Sequence, residues 1–240
     1  MSWPFDFACV INLDSRPDRW ARMEASLRDM GVQAERFSAV SLHNLEEDQP
    51  FPALREFLLR VDGESPGFER KLLGTWACMR SHLGVIARAR DNGWPAVLIM
   101  EDDCEFEPYA LAVLERVEVQ LQGREWDMLY LGGTFKKGGV RKRVAANLFS
   151  ATRVRLTHAY MVKAELYERI LAEAPLSGLP LDWYYSEVLL PQVRGLMVKP
   201  TLARQRLMDP SDIEQVVRTP RFKSRQFLER LCARIRYGAF

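Results

Sequence analysis

Short, continuously apolar runs alternate along the chain with longer stretches in which apolar residues recur every three or four positions, a pattern of strands followed by helices. FACVINL (7–13) has the length of a buried strand. After it, Trp20, Met23, Leu27 and Met30 fall at helical spacing. Ser15 with Asp18 three residues on forms a capping pattern, Pro17 suits a first turn, and Gly31 ends the helix. VQAERFSAV (32–40) predicts a second strand. From Ser41 to Gly67 the chain turns polar and rich in Pro and Gly around one helical stretch, Leu54 to Val61, which reads as an excursion outside the core. Residues 72–93 place Trp76, Met79, Leu83 and Ile86 on one helical face and close with Asn92-Gly93.

AVLIME (96–101) is the third strand, and its unbroken apolar character is that of a strand covered on both faces. DMLYLGG (127–133) and LTHAYMV (156–162) are further strands, separated by a Gly- and Lys-rich turn at Lys136 to Lys142. Helical patterns return at Ala164 to Ala172, near Trp183 to Leu190, and in a basic tail from about Arg221. Strands alternating with helices predict an α/β fold with a mixed, mostly parallel sheet and helices on both sides.

With 240 residues, 48% of them hydrophobic, the chain can bury one large core. A net charge of +2 without a low-complexity block points away from disorder and from nucleic-acid binding. The opening residues lack the basic region and cleavage site of a signal peptide, and no window reaches the roughly 18 apolar residues of a membrane helix. The expected location is the cytosol. Cys9, Cys78, Cys104 and Cys232 form no CxxC pair and are expected to be reduced structural thiols without a metal.

Glu101-Asp102-Asp103 follow the third strand directly. Adjacent carboxylates repel one another, and at the carboxyl edge of an α/β sheet a divalent cation is the usual compensation. In extended geometry Glu101 and Asp103 point to one side and share a hard cation, Mn²⁺ or Mg²⁺, with Asp102 turned toward a ribose or a backbone amide. The alternative is a solvated acidic turn capping the next helix. A second candidate is the first strand-to-helix junction, where Arg16 and Arg19 either meet a pyrophosphate or merely pair with Asp14 and Asp18 on a solvated face. No glycine-rich dinucleotide fingerprint occurs there.

In order and spacing, VINLDSRPDRWARM, GTWACMRSHLGVI and AVLIMEDDCEF, with THAYMV (157–162), PLDWYY (180–185) and KPTLARQRLMDPSDI (199–213), resemble glycosyltransferase family 25. The resemblance runs from about residue 6 to residue 213. It implies a GT-A-like domain (1–215, with 41–70 as a variable insertion), a UDP-sugar donor, UDP-galactose in the best-known members, a divalent cation and inversion at the anomeric carbon. Carried over by position, Glu101 and Asp103 are expected as metal ligands. Asn12, Arg16, Arg19, Ser81, His82 and Asp102 are expected on the nucleotide side. Arg80 departs from the family's pattern, and 41–70 matches nothing in it.

An inverting transfer needs a base for the acceptor hydroxyl. Asp182, in a matched block just before a helix, is the preferred base, and it is equally suited to capping that helix. His158, His82 and Asp212 are the other candidates. The implied acceptor is a lipooligosaccharide or another surface glycan, with a different hexose, a protein acceptor, a catalytically silent nucleotide-binding module and metal-dependent phosphohydrolysis as the alternatives. The tail, 216–240, reads as a basic amphipathic segment that either packs as a terminal helix or lies on an anionic membrane.

Overall fold

The computed structural model describes residues 5, 7–45, 48–206 and 224–238. Eight strands form the main sheet: β1 (Phe7–Asn12), β2 (Glu35–Ser38), β3 (Ala96–Glu101), β4 (Met128–Tyr130), β5 (Arg141–Arg143), β6 (Leu148–Ala151), β7 (Ala159–Lys163) and β8 (Gly195–Val198). Their order is β2-β1-β3-β7-β4-β8-β6-β5. Parallel pairing joins β1 to β2 and β3, and β4 to β8; β7 runs antiparallel between β3 and β4. The α/β architecture with a mixed sheet flanked by helices is thus the expected one.

Alternation along β3 shows why the strand is apolar throughout. Val97 and Ile99 enter one core; Ala96, Leu98 and Met100 enter the core on the opposite face. The helices are α1 (Pro17–Asp29), α2 (Pro52–Asp62), α3 (Phe68–Asp91), α4 (Ala110–Leu121), α5 (Tyr167–Glu173), α6 (Leu181–Tyr184) and α7 (Ser224–Tyr237). Apolar residues of α2, α3, α5 and α6 build the first core, and those of α1 and α4 the second.

Three local expectations change. Helix α1 begins at Pro17 with Arg16 as N-cap and no side-chain cap, so Ser15 does not cap it. Asp18 instead accepts from Arg16 at 3.0 Å and Arg22 at 2.9 Å, and Gly31 leaves the helix at φ 65°, as expected. The 41–70 segment is not outside the core: Leu45, Leu54, Phe57, Leu58 and Phe68 are all buried. Its short helices turn their apolar positions onto α3 and the sheet. Asp48 anchors this segment, its carboxylate accepting from Arg80 at 2.6 Å and its carbonyl from the Trp76 indole at 3.0 Å. The departure at Arg80 is therefore a tie to 41–70.

His158 immediately precedes β7 instead of lying within a strand. Helix α7 packs on the second core through Ala233, and Tyr237 accepts from Asn147 Nδ2 at 2.9 Å. Among the described residues no helix is long and apolar enough to cross a membrane.

Candidate functional site

Strand β3 ends at Glu101, and Asp102 and Asp103 form a turn before a short strand, Cys104–Phe106, that pairs with Ala203–Gln205. The acidic run is not extended, because the chain reverses at once, and its three carboxylates part company. Glu101 accepts from the Thr157 hydroxyl at 2.7 Å and lies 3.5 Å from His82 Nε2. Asp102 turns back to the first junction, accepting from Asn12 Nδ2 at 2.7 Å and from Arg19 at 3.1 Å. The Asp103 carboxylate faces Gln205 Nε2 at 3.4 Å, while its carbonyl accepts from the Arg206 amide at 2.7 Å.

A cavity of about 360 Å³ opens beside Glu101. Its wall includes Glu101, Cys78, Thr157, Asp182, Trp183 and Gln205, and α2 contributes Phe57, Leu58, Val61 and Asp62. Asp182 lies in the first turn of α6, whose N-cap is Pro180 without a side-chain cap, so it does not cap the helix; its carboxylate accepts from the Leu156 amide at 3.3 Å. Leu156 holds φ at 77°, a left-handed backbone that a leucine adopts at a cost of about 1–2 kcal/mol. That conformation points its amide at Asp182. Arg155 stacks over the Trp183 ring at 3.3 Å and pairs with Glu187 at 2.7 Å, so the cavity's aromatic wall is backed by an ion pair.

The electrostatics separate the two cavity carboxylates. Burial raises the Glu101 pKa, but the His82 ring, the Thr157 hydroxyl and the charge of His158 outweigh it and hold Glu101 below the usual carboxylate range. For Asp182 burial prevails: its pKa is raised, with the Glu101 charge adding to the rise and the Leu156 amide and Arg155 opposing it. One cavity thus holds a carboxylate that stays ionised and one that is more basic than usual. Burial raises the Cys78 thiol well above its ordinary value, and the charges of Glu101, Asp182 and Asp103 raise it further.

Of the expected site residues, Glu101 and Asp182 meet in this cavity. The others are placed differently. Arg19 is 5% exposed and faces Asp102, not an open anion site, because α1 lays its first turn against the β3 edge. Asn12 bridges Asp102, the Arg16 carbonyl at 3.0 Å and, through Oδ1, Arg36 at 2.8 Å. Arg16 pairs with Asp18 at the surface. Ser81 donates to the Ala77 carbonyl at 2.7 Å and accepts from the Val40 amide at 2.9 Å, which occupies its hydroxyl in joining α3 to the segment after β2. His82 turns Nδ1 to Tyr160 at 3.1 Å and Nε2 toward Glu101. The end of the matched carboxyl-terminal block, with Asp212, lies outside the described residues.

His158 does not line the cavity. Its ring is sealed beneath Gly132 and lies 3.2 Å from the Ala203 carbonyl. A Cβ on Gly132 would fall 2.1 Å from His158 Nε2 and 2.5 Å from the Ala203 oxygen, so the glycine is what makes room for the ring. Gly132→Ala is expected to lower stability by about 1–3 kcal/mol in urea unfolding. An unchanged midpoint would show that His158 has room to turn elsewhere.

Sequence reasoning missed Thr157, Leu156 and the wall from α2. It also missed that Cys78, His82 and Glu101 cluster, their ligand atoms lying within 4.8 Å of one another. The signal was present: Cys78 and His82 are four apart on a helix and so share a face. For a hard divalent cation the donor chemistry is present, carboxylates at Glu101 and Asp182 lining the cavity and Asp103 two residues beyond Glu101, but among the described residues these three carboxylates do not lie within 4.8 Å of one another, and Asp102 is engaged by Arg19 and Asn12.

Residues 5–171 match the family model described as Glycosyltransferase family 25 (LPS biosynthesis protein). A "Glycosyltransferase 25 family member" of Drosophila pseudoobscura pseudoobscura is 32% identical over 74% of this chain and 29% of its own length. The human "Inactive glycosyltransferase 25 family member 3" is 33% identical over 74% of this chain and 31% of its own. The chain therefore spans less than a third of the length of these curated relatives. Among solved structures, A197 from STIV aligns with a TM-score of 0.46 and 11% identity over 90% of this chain and 95% of that one. By its sequence and the extent of the family match, this chain belongs to glycosyltransferase family 25.

Proposed function

We propose that this chain is an inverting glycosyltransferase that moves a hexose, galactose from UDP-galactose, onto a hydroxyl of a lipooligosaccharide or related surface glycan. The observation that carries this reading is the pair of cavity carboxylates with opposite pKa shifts, Glu101 and Asp182, in a chain of this family. In the proposed reaction the acceptor hydroxyl attacks the anomeric carbon from the face opposite the diphosphate. Its proton passes to the Asp182 carboxylate, and the bond to the diphosphate breaks with its electrons leaving on UDP. Glu101 and Asp103 would hold Mn²⁺ or Mg²⁺, which when bound supplies positive charge to the departing diphosphate. Trp183 offers an apolar ring face to a sugar, and the Arg155–Glu187 pair behind it keeps the ring in place.

A peripheral membrane contact fits the exposed face of α7. Leu228, Leu231 and Ile235 recur there at helical spacing with Arg236 beside them, while Ala233 and Tyr237 pack on the protein. Such a face suits an enzyme whose acceptor is anchored in lipid.

The test is calorimetric titration of UDP-galactose, UDP-glucose and GDP-mannose, each with and without Mn²⁺. Manganese-dependent binding of UDP-galactose is expected. The Asp103→Ala protein is expected to stay folded and lose that dependence. Binding of none of the donors would favour the silent-module reading, which the human relative's name brings forward.

A further inference from the structure

We propose that Cys78, His82 and Glu101 form a binding site for a thiophilic divalent cation of the Zn²⁺ class, distinct in ligand chemistry from a hard, all-oxygen site. Cys78 and His82 lie four residues apart in α3, which puts both side chains on one face of the helix. Glu101, the last residue of β3, meets that face, and one sulfur, one imidazole nitrogen and one carboxylate oxygen lie within 4.8 Å of one another. Two ligands across a tetrahedral zinc stand roughly 3.3–3.6 Å apart, given bonds of about 2.0–2.3 Å. His82 Nε2 and Glu101 Oε1 already stand at 3.5 Å. Since no pair of ligand atoms is more than 4.8 Å apart, the sulfur needs to approach by at most about 1.2–1.5 Å.

The histidine carries the second, independent observation. Its ring is 0% exposed, and Nε2 is aimed into the cluster, where it faces Glu101 at 3.5 Å without a well-aligned hydrogen bond among the described residues. Its other nitrogen is held by Tyr160 at 3.1 Å, and the Tyr160 hydroxyl lies 3.2 Å from that of Tyr185. A metal-ligating histidine is oriented in this way, by a partner on the nitrogen that does not bind the metal. Cys78 and Glu101 line the cavity, so a cation can enter and a fourth coordination position faces open space. On binding, the thiol proton leaves to solvent as the sulfur–metal bond forms, and Nε2 and the Glu101 carboxylate donate lone pairs. Three protein ligands with one open position is the arrangement of an accessible zinc site. Because Glu101 would belong to both sites, Zn²⁺ would also displace the hard cation; that consequence rests on the proposed glycosyl transfer, whereas the site itself does not.

The test uses the full chain, stripped of metal by a chelator, with Co²⁺ as an optical probe and Zn²⁺ as its competitor; no nucleotide sugar is added, so the result is independent of any transfer activity. One equivalent of Co²⁺ is expected to give a thiolate-to-metal charge-transfer band that Zn²⁺ abolishes. Cys78→Ser is expected to eliminate the band and weaken Zn²⁺ binding by at least about tenfold. Cys232→Ser, at the exposed cysteine of α7, is expected to keep the band. Circular dichroism melts check that each variant is folded, and Glu101→Gln, which keeps the thiol but loses the charged ligand, serves if Cys78→Ser does not fold. No band in the parent protein, a band that persists in Cys78→Ser, or unchanged Zn²⁺ affinity in folded Glu101→Gln would overturn the proposal.

Discussion

Asp182→Asn protein is expected to transfer sugar about 10²–10⁴-fold more slowly than the parent while melting no lower at pH 7. In the proposed reaction the rate falls because an amide cannot take the acceptor's proton. Stability holds because the hydrogen bonds that Asp182 accepts, from the Leu156 amide at 3.3 Å and from the Trp183 amide, can be accepted equally by an asparagine oxygen. The pKa shift sets the direction of the rest. Burial raises Asp182 above the ordinary aspartate value, so its contribution to stability is fully present below the unfolded pKa and is lost as pH rises through the folded one. At neutral pH the parent carries a poorly solvated anion that the variant does not. The same raised pKa makes kcat of the parent fall on acidification at a higher pH than an ordinary aspartate would give, and this acid limb disappears from the residual activity of the variant. Rate and melting temperature measured together decide the matter: a variant that loses activity only as it loses structure would make Asp182 a structural acceptor for the Leu156 amide and nothing more.

Asp182 and Glu101 were both legible in the sequence, one in a block that resembles the family and one at the end of an apolar strand. Their meeting in one cavity was not. What the pattern carries well is anything repeated along a single element: the alternation of β3 into two cores and the 24-residue helix α3 follow from local periodicity. What it carries poorly is which side chains from distant segments face one another. Arg19 and Asp102 are 83 positions apart, and nothing in the spacing of either distinguishes a buried partner from a solvated charge. Extended geometry would turn Glu101 and Asp103 to one side, yet the chain turns after Glu101, and a turn sends neighbouring side chains in different directions. The 41–70 segment misled for a different reason. Its main helix, α2, stands between polar stretches rich in Pro and Gly, so the sequence shows no partner for its apolar face, although Leu54, Phe57 and Leu58 are buried.

Asp102→Ala is expected to destabilise the protein by about 3–5 kcal/mol, the largest structural effect among the three carboxylates. The side chains of Arg19 and Asp102 are 6% and 10% exposed, and Asn12 donates to the same carboxylate at 2.7 Å. Removing Asp102 takes away the carboxylate that the buried guanidinium faces, and an alanine leaves the Asn12 amide without that acceptor. Surface pairs such as Arg16–Asp18, with 55% exposure at the aspartate, should matter far less, and Asp18→Ala is the matched control, expected to unfold close to the parent. In a double-mutant cycle, Arg19→Ala combined with Asp102→Ala should cost clearly less than the sum of the two single changes, because either change alone already removes the interaction that the two share. The comparison with Asp103→Ala then separates architecture from chemistry: Asp102 should reveal itself in urea unfolding and Asp103 in cation-dependent donor binding. If Asp102→Ala instead unfolds like the parent and loses nucleotide affinity, Asn12, Arg19 and Asp102 open to the donor in solution, and the junction between β1 and α1 is a binding surface after all.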